Sequence, residues 1–260
     1  MIDFAEILTR LDHERRYFAG DEEVVEVLPS VTRLRTRDNL HHSVIYSSLT
    51  ERDADAVILQ EIEYHRRLGV GFEWKLFAHD DPEDMVHRLL RHGFRIGPLE
   101  AVLVFDLSQK SDWIDATDTS GVQRVDRLEQ ILEFQQVLED AFGRGNDFIV
   151  GQLTEAVRSR STHHRGYITY VEGEPASIGR LYTHPESWFA GLYGGGTRHS
   201  FRRRGAYRAI VAARARDAVA QGARYLLVDA LPQSRVILER IGFEWLTDTW
   251  PCEWQTGTQA

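Results

Sequence analysis

Apolar positions along this chain fall into two kinds of run. Some recur at three-to-four spacing, as on one face of a helix, and others crowd β-branched and aromatic residues into short strand-like segments. In the first part, helices are expected over residues 1–18, 50–68 and 82–92, with strands over 24–35, 43–49, 72–78 and 99–107. Thr50 is placed to cap the second of these helices. Further on, helices are expected over 128–142, 205–221 and 233–241, and strands over 166–172, 176–183, 188–193, 223–229 and 243–254. Gly173 supplies the turn between the first two of those strands. Ser, Asp and Thr cluster ahead of Gly121, so residues 108–120 read as a linker between residues 1–107 and 121–260.

The two parts echo each other. A shift of 149 positions, from Gly93 to Gly242, superposes Gly93-Phe94 on Gly242-Phe243, Leu89 on Leu238, Arg91 on Arg240 and Asp80 on Asp229. Glycine stops a helix and the aromatic anchors the next strand, so the repeated order of strand, short helix, Gly-Phe and strand points to an internal duplication. The same shift brings Thr50-Glu51-Arg52-Asp53-Ala54-Asp55 close to Ser200-Phe201-Arg202-Arg203-Arg204-Gly205. Acids at a helix start repel a pyrophosphate, whereas Gly and Arg admit one. One anion site per chain, in the second copy, is therefore expected.

Composition narrows the chemistry. The 260 residues are 42% hydrophobic and 27% charged, a folding composition. No apolar run approaches the roughly 20 residues that span a bilayer, and Met1-Ile2-Asp3-Phe4 lacks a basic-then-apolar leader. The expectation is a soluble, cytoplasmic protein with no membrane partner. A single cysteine, Cys252, excludes an internal disulfide and a Cys-based zinc site, and a buried structural thiol is the favoured reading. His41-His42 and His163-His164 are adjacent pairs without companion ligands at metal spacing, so no metal is expected. The net charge of -9 argues against a nucleic-acid partner.

Yet residues 198–208 hold five arginines and His199 with no acid. The stretch runs from Gly194-Gly195-Gly196 through Thr197, Arg198 and His199 to Arg202-Arg203-Arg204-Gly205-Ala206-Tyr207-Arg208, from strand through loop into helix. Free N–H groups at such a helix start can surround a diphosphate, and Gly205 admits a ligand close to the backbone. No Gly-Lys-Ser/Thr follows the glycines, so this is not a Walker loop.

In that turn the chain resembles the GNAT N-acetyltransferases, whose acetyl-CoA signature of Arg or Gln, two residues, Gly, one residue, then Gly or Ala falls on Arg202, Gly205 and Tyr207. It departs from the pattern at Tyr207, where a small residue is usual, and at His199, where proline is frequent. The resemblance implies an α/β (α+β) fold of two tandem units, each a mixed, mostly antiparallel sheet flanked by helices, the first a degenerate copy. It implies acetyl-CoA as cosubstrate, with pantetheine near residues 196–199 and pyrophosphate on the amides of residues 203–207. Thr197, His199, Arg202, Arg203, Arg204, Gly205, Ala206, Tyr207, Arg208 and Ser234 are the resulting cofactor residues. Ser234 stands where relatives often carry Asn.

Direct transfer needs a base for the amine and an acid for the thiolate. Relatives often supply the acid from a tyrosine four residues before the Gly of the Gly-Phe pair; that position is Leu238. Tyr193 is the leading replacement, with Tyr182 and Tyr207 as alternatives, and Asp229 leads Glu172 and Glu174 as base. The expected activity is N-acetylation of a small-molecule amine, with the first half forming one wall of the acceptor site and the loops around residues 143–165 helping to set the acceptor. A catalytically silent acetyl-CoA-binding regulatory module and acetylation of a protein amine are the competing readings. Tandem pairing would make a monomer sufficient.

Overall fold

The carboxylate of Asp3 accepts from the N–H groups of Ala5 and Glu6, both at 3.1 Å, and so starts the first helix. A computed structural model describes residues 3–20, 23–109, 111–143 and 145–256 of the chain. Positions 1–2 of the expected first helix, position 110 of the linker and position 144 of the expected loop over 143–165 lie outside the described residues. The first half contains α1 (Phe4–Tyr17), β1 (Glu23–Val27), β2 (Val31–Thr36), β3 (His42–Ser47), α2 (Ala54–Leu68), β4 (Phe72–Phe77), α3 (Met85–Arg91), β5 (Arg95–Ile96) and β6 (Glu100–Asp106). Next come α4 (Asp112–Ala116), β7 (Val122–Arg124), α5 (Glu129–Phe142), α6 (Asp147–Ser159), β8 (His164–Val171), β9 (Glu174–Thr183) and β10 (Phe189–Thr197). A short 3-10 turn (His199–Phe201) leads into α7 (Ala206–Ala220), β11 (Tyr225–Ala230), α8 (Pro232–Glu239) and β12 (Glu244–Trp254).

The strands form one 12-stranded sheet in the order β1-β2-β3-β4-β12-β6-β11-β10-β9-β8-β7, with β5 also paired to β12. Among the described residues only β3·β4 and β10·β11 are parallel, so the mixed, mostly antiparallel α/β architecture holds. The two halves are interlocked. β12, from the second, pairs with β4 of the first, and β6, from the first, pairs with β11 of the second.

The pairing of β12 with β5 and β6 exposes the duplication. Moved by the Gly93-to-Gly242 shift, the pair Arg95↔Glu253 becomes Glu244↔Val104, Ile96↔Cys252 becomes Trp245↔Leu103, and Glu100↔Thr249 maps onto itself. The helix stops match as well. Phe94 N–H donates to Leu89 O at 3.0 Å and Phe243 N–H to Leu238 O at 3.1 Å, around glycines at φ +84° and +100°. The shift fails at one expected pair. Asp229 lies within β11 opposite Val102, whereas Asp80 lies in the turn after β4, its N–H bonded to Phe77 O.

Four local expectations need correction. Residues 24–35 are two strands of a hairpin, broken at Pro29-Ser30. The linker contains α4, which packs Trp113 and Ile114 into the core. Thr50 does not cap: α2 starts at Ala54, and Asp53 Oδ1 instead accepts the Thr50 N–H at 2.7 Å. The expected loop over 143–165 holds α6, whose Leu153 and Ala156 are buried. Ile149, Val150 and Gly151 are poor helix formers, so packing under the sheet decides its conformation.

A core shared by the halves lies beneath α1. Ile7, Leu11, Phe77, Val102 and Val104 of the first half pack with Phe189, Tyr225, Leu227 and Leu246 of the second. Each such side chain contributes roughly 1.5–3 kcal/mol when fully buried. Glu14 adds a polar tie, accepting the Trp188 N–H at 2.9 Å. Among the described residues no helix is long and apolar enough to cross a membrane.

Candidate active site

β10 and β11 are paired only from Phe189↔Tyr225 to Gly191↔Leu227. Beyond that point both strands continue, to Thr197 and Ala230, without pairing to each other. A slot thus opens between two strands of one sheet, with backbone groups facing into it. The cause is a bulge in β10, whose register against β9 shifts between Tyr193 and Gly196. Gly196 is required there, because a Cβ would lie 2.6 Å from the Phe142 ring. Arg214 of α7 braces β9 opposite the irregular segment. Its Nη1 donates to Arg180 O at 3.0 Å and its Nε to Ile210 O at 3.2 Å. This guanidinium is 1% exposed, has no ion-pair partner among the described residues, and has its pKa lowered by burial.

At the open end of the slot the chain turns through Arg203 (φ +62°) and Gly205 (φ +83°) into α7. Ala209 N–H is the first to find a helical acceptor, Gly205 O at 3.0 Å. The N–H groups of Ala206, Tyr207 and Arg208 precede it, at the positive end of the helix dipole. The arginines divide by partner. Arg198 pairs with Asp140 at 2.8 Å, Arg204 pairs with Glu172 of the β8–β9 turn, and Arg202 Nε donates to Thr197 O at 3.3 Å. Arg203 and Arg208 are exposed and make no ion pair among the described residues. Of the remaining expected cofactor residues, His199 is exposed, while Thr197 Oγ1 bonds Ser177 Oγ at 2.9 Å. Ser234 Oγ donates to Leu231 O at 2.9 Å in the first turn of α8, and Ala206 is buried. Tyr207 turns its ring into the core, and burial raises its pKa. Leu238 is fully buried in the same core.

On the opposite face of the sheet a cavity of about 190 Å³ lies between the halves. α1 and the segment after it supply Leu11, Glu14, Phe18 and Gly20, and the second half supplies Tyr182, Gly191, Tyr193 and Leu227. Gly20 is pressed against Tyr182, where a Cβ would overlap the phenol oxygen. Tyr193 borders this cavity. Burial, then the Asp229 charge, raises its pKa, so the phenol holds its proton at neutral pH. Tyr182, the alternative, packs against the buried His164, ring centroids 5.1 Å apart and planes tilted by 46°.

Asp229 does not stand alone. Lys75 Nζ, from β4 of the first half, lies 2.9 Å from Asp229 Oδ2 and 3.2 Å from Glu100 Oε2. Burial disfavours the ammonium, but Asp229, Glu100 and Glu73 outweigh it and the Lys75 pKa is raised. Burial also raises the pKa of Glu73 and Glu100, with Lys75 opposing. Three carboxylates therefore share one cation. Sequence reading missed Lys75, Glu73 and Glu100, because only the strand exchange brings them beside Asp229. It missed Arg180 and Arg214 for a related reason: an arginine in a strand or helix looks solvated until packing buries it.

Other candidates fall into structural roles. Glu174 is exposed at the hairpin end of β9, and burial pushes the Cys252 thiol up to about 12. His41 stacks on Phe148 at 4.4 Å while His42 is buried. Asp12, His79 and Asp80 present ligand atoms within 4.8 Å of one another, but Arg15 already bridges the two carboxylates, at 2.8 and 3.0 Å. A larger open depression, about 710 Å³, lies along the outer face of α2, where Glu63 and Arg67 pair with each other at 2.8 Å.

Compared by sequence, the chain matches no family model and no curated protein. Compared by structure, it is similar over its whole length to a GCN5-related N-acetyltransferase from Kribbella flavida. The two share 15% identity with a TM-score of 0.69, covering 99% of this chain and 97% of that one. A GCN5-related N-acetyltransferase from Sphaerobacter thermophilus gives 12% identity and a TM-score of 0.59 over 91% of this chain and 84% of that one. A tandem GNAT protein from the clavulanic acid biosynthesis pathway gives 12% identity and 0.59 over 94% and 86%. Agreement across both halves, joined to the repeated Gly-Phe helix stops and the symmetric strand pairing, shows that this chain has the tandem GNAT fold.

Proposed function

We propose that the chain is an acetyl-CoA-dependent N-acetyltransferase acting on a small amine. The observation that carries this reading is the slot between β10 and β11 with the Gly205 turn at its open end. The amides of Ala206, Tyr207 and Arg208 and the helix dipole suit a pyrophosphate, and Arg203 and Arg208 suit a further phosphate. Backbone groups of the unpaired part of β10 suit the amide-bearing pantetheine. The fold likeness to N-acetyltransferases, one of them a tandem protein, supports the same assignment.

In the reaction the amine nitrogen attacks the thioester carbonyl carbon, an N–C bond forms, the C–S bond breaks, and CoA leaves as thiolate. A carboxylate of the Asp229–Glu100 pair takes the amine proton, Glu100 being favoured by its raised pKa. Tyr193 holds a proton beside the same slot and donates to the leaving sulfur. The acceptor occupies the cavity roofed by the first half; at about 190 Å³ it lies below the roughly 300–1,000 Å³ of sites for drug-sized ligands, which favours a small molecule.

Calorimetric titration with acetyl-CoA tests the cofactor half, and thiol release with an amine panel tests transfer. One acetyl-CoA should bind per chain, and the Arg203→Ala, Arg208→Ala double variant should bind it at least tenfold more weakly. Absence of binding overturns the reading. Binding without thiol release from any amine would leave the silent module, which the burial of Leu238 in the core motivates.

A further inference from the structure

Beyond the cavity's own charged lining residues, Glu14, Arg15 and Glu23, charges of both signs lie beside it at separate places, on either side of Tyr193. Arg180 of β9 faces the same side of the sheet as Tyr182, two residues on, and is the ladder partner of Tyr193; both tyrosines line the cavity. Its Nη1 donates to the neutral Gln152 Oε1 at 2.9 Å, and its Nε is buried without a partner. Among the described residues no carboxylate lies within ion-pair distance of Arg180. Burial draws its pKa down to about 10, against Tyr193, Tyr182 and Glu23, so the group remains cationic at neutral pH. A guanidinium largely withdrawn from water without an ion-pair partner is costly, and such a cost beside a cavity marks a place for an anion. On the other side of Tyr193, Glu73, Glu100 and Asp229 outnumber Lys75.

Resting on the acetyltransfer reading, we infer that the acceptor is a small amino acid or amino-acid-like zwitterion, its carboxylate paired with Arg180 and its amine directed past Tyr193 toward Asp229 and Glu100. Arg180 is then a specificity-determining residue. A guanidinium suits this role because its planar fork takes a carboxylate with two parallel bonds. The acids have the complementary task of drawing in the ammonium and removing its proton before attack.

Matched acceptors test the assignment on the full chain: leucine against isoamylamine, phenylalanine against phenethylamine, and lysine against cadaverine, each with acetyl-CoA and thiol release as readout. The carboxylate-bearing member should be used with at least tenfold higher kcat/KM in at least one pair. Arg180→Gln should erase that preference by lowering use of the amino acid at least tenfold more than use of its decarboxylated counterpart, and Arg180→Lys should restore part of it. Equal use of both members by the unmodified protein overturns the inference, and so does a preference that survives Arg180→Gln. Tight acetyl-CoA binding with no release from any of the six compounds also overturns it, whereas failure to bind acetyl-CoA defeats the underlying acetyltransfer reading. The first comparison needs no variant, so it stands even if Arg180→Gln does not fold.

Discussion

Lys75 of the first half places its ammonium 2.9 Å from the Asp229 carboxylate of the second. The contact exists because β12 and β6 have crossed between the halves, setting β4 and β11 on either side of the exchanged pair. The first half is therefore a structural contributor to the candidate site: it provides the cation, two of the acids and the roof of the cavity.

Lys75→Met should leave Asp229 and Glu100 facing each other without a counter-ion. Stability measured by urea denaturation should fall by about 1–3 kcal/mol, the cost of orphaning a partly buried charged partner, and thiol release should fall with it. Lys75→Arg should recover most of the stability. A methionine variant as stable as the parent would show that the pair contributes nothing.

Gly205 has a positive φ, and nothing lies within 4 Å of the place a Cβ would take. Gly205→Ala should therefore cost about 1 kcal/mol through backbone conformation alone, with acetyl-CoA still bound. Gly205→Glu should share that modest stability loss yet abolish calorimetric binding, because a carboxylate would face the pyrophosphate position. Equal affinities for the two variants would remove the turn from the cofactor site.

Arg214→Met exchanges a buried, acid-free guanidinium for an apolar chain of similar reach. The change relieves desolvation but orphans Arg180 O at the bulge, and the two effects oppose. Thermal unfolding should move little, by no more than about 1 kcal/mol, while acetyl-CoA affinity drops because β9 loses its brace opposite the bulge of β10. A large stability loss with unchanged affinity would contradict this account.

Two buried histidines set the acid limit. Burial lowers the pKa of His164 to about 3 and of His65 to about 4, the latter stacked on Phe72 at 3.9 Å. Both are neutral in the folded chain, while in the unfolded chain each takes a proton near pH 6.5. Their contribution is fully present above that value and is lost as pH falls from about 6.5 toward 3–4, by up to about 1.4 kcal/mol per pH unit for each group. Denaturation between pH 7 and 5 should show this slope, and His164→Phe should reduce it. An unchanged slope in that variant would rule His164 out as the source.

What the amino-acid sequence determined on its own was local and periodic. The apolar spacing of α5 and α7, the crowded β8 and β9, the Gly-Phe stops at Gly93 and Gly242, and the basic turn ending at Gly205 all depend on residues within a few positions of one another. Neighbour effects of that kind are written directly in the order of residues. Tertiary structure decided the remainder. α6 is helical against its local propensity because Leu153 and Ala156 find a buried surface. Lys75 meets Asp229 because strands far apart in sequence were exchanged, and Arg180 is drawn from water where α6 packs over its strand and Gln152 meets it. Burial and charge proximity are properties of that packing, and they turned a lysine, two glutamates and an arginine that looked like solvated surface residues into the electrostatic core of the candidate site.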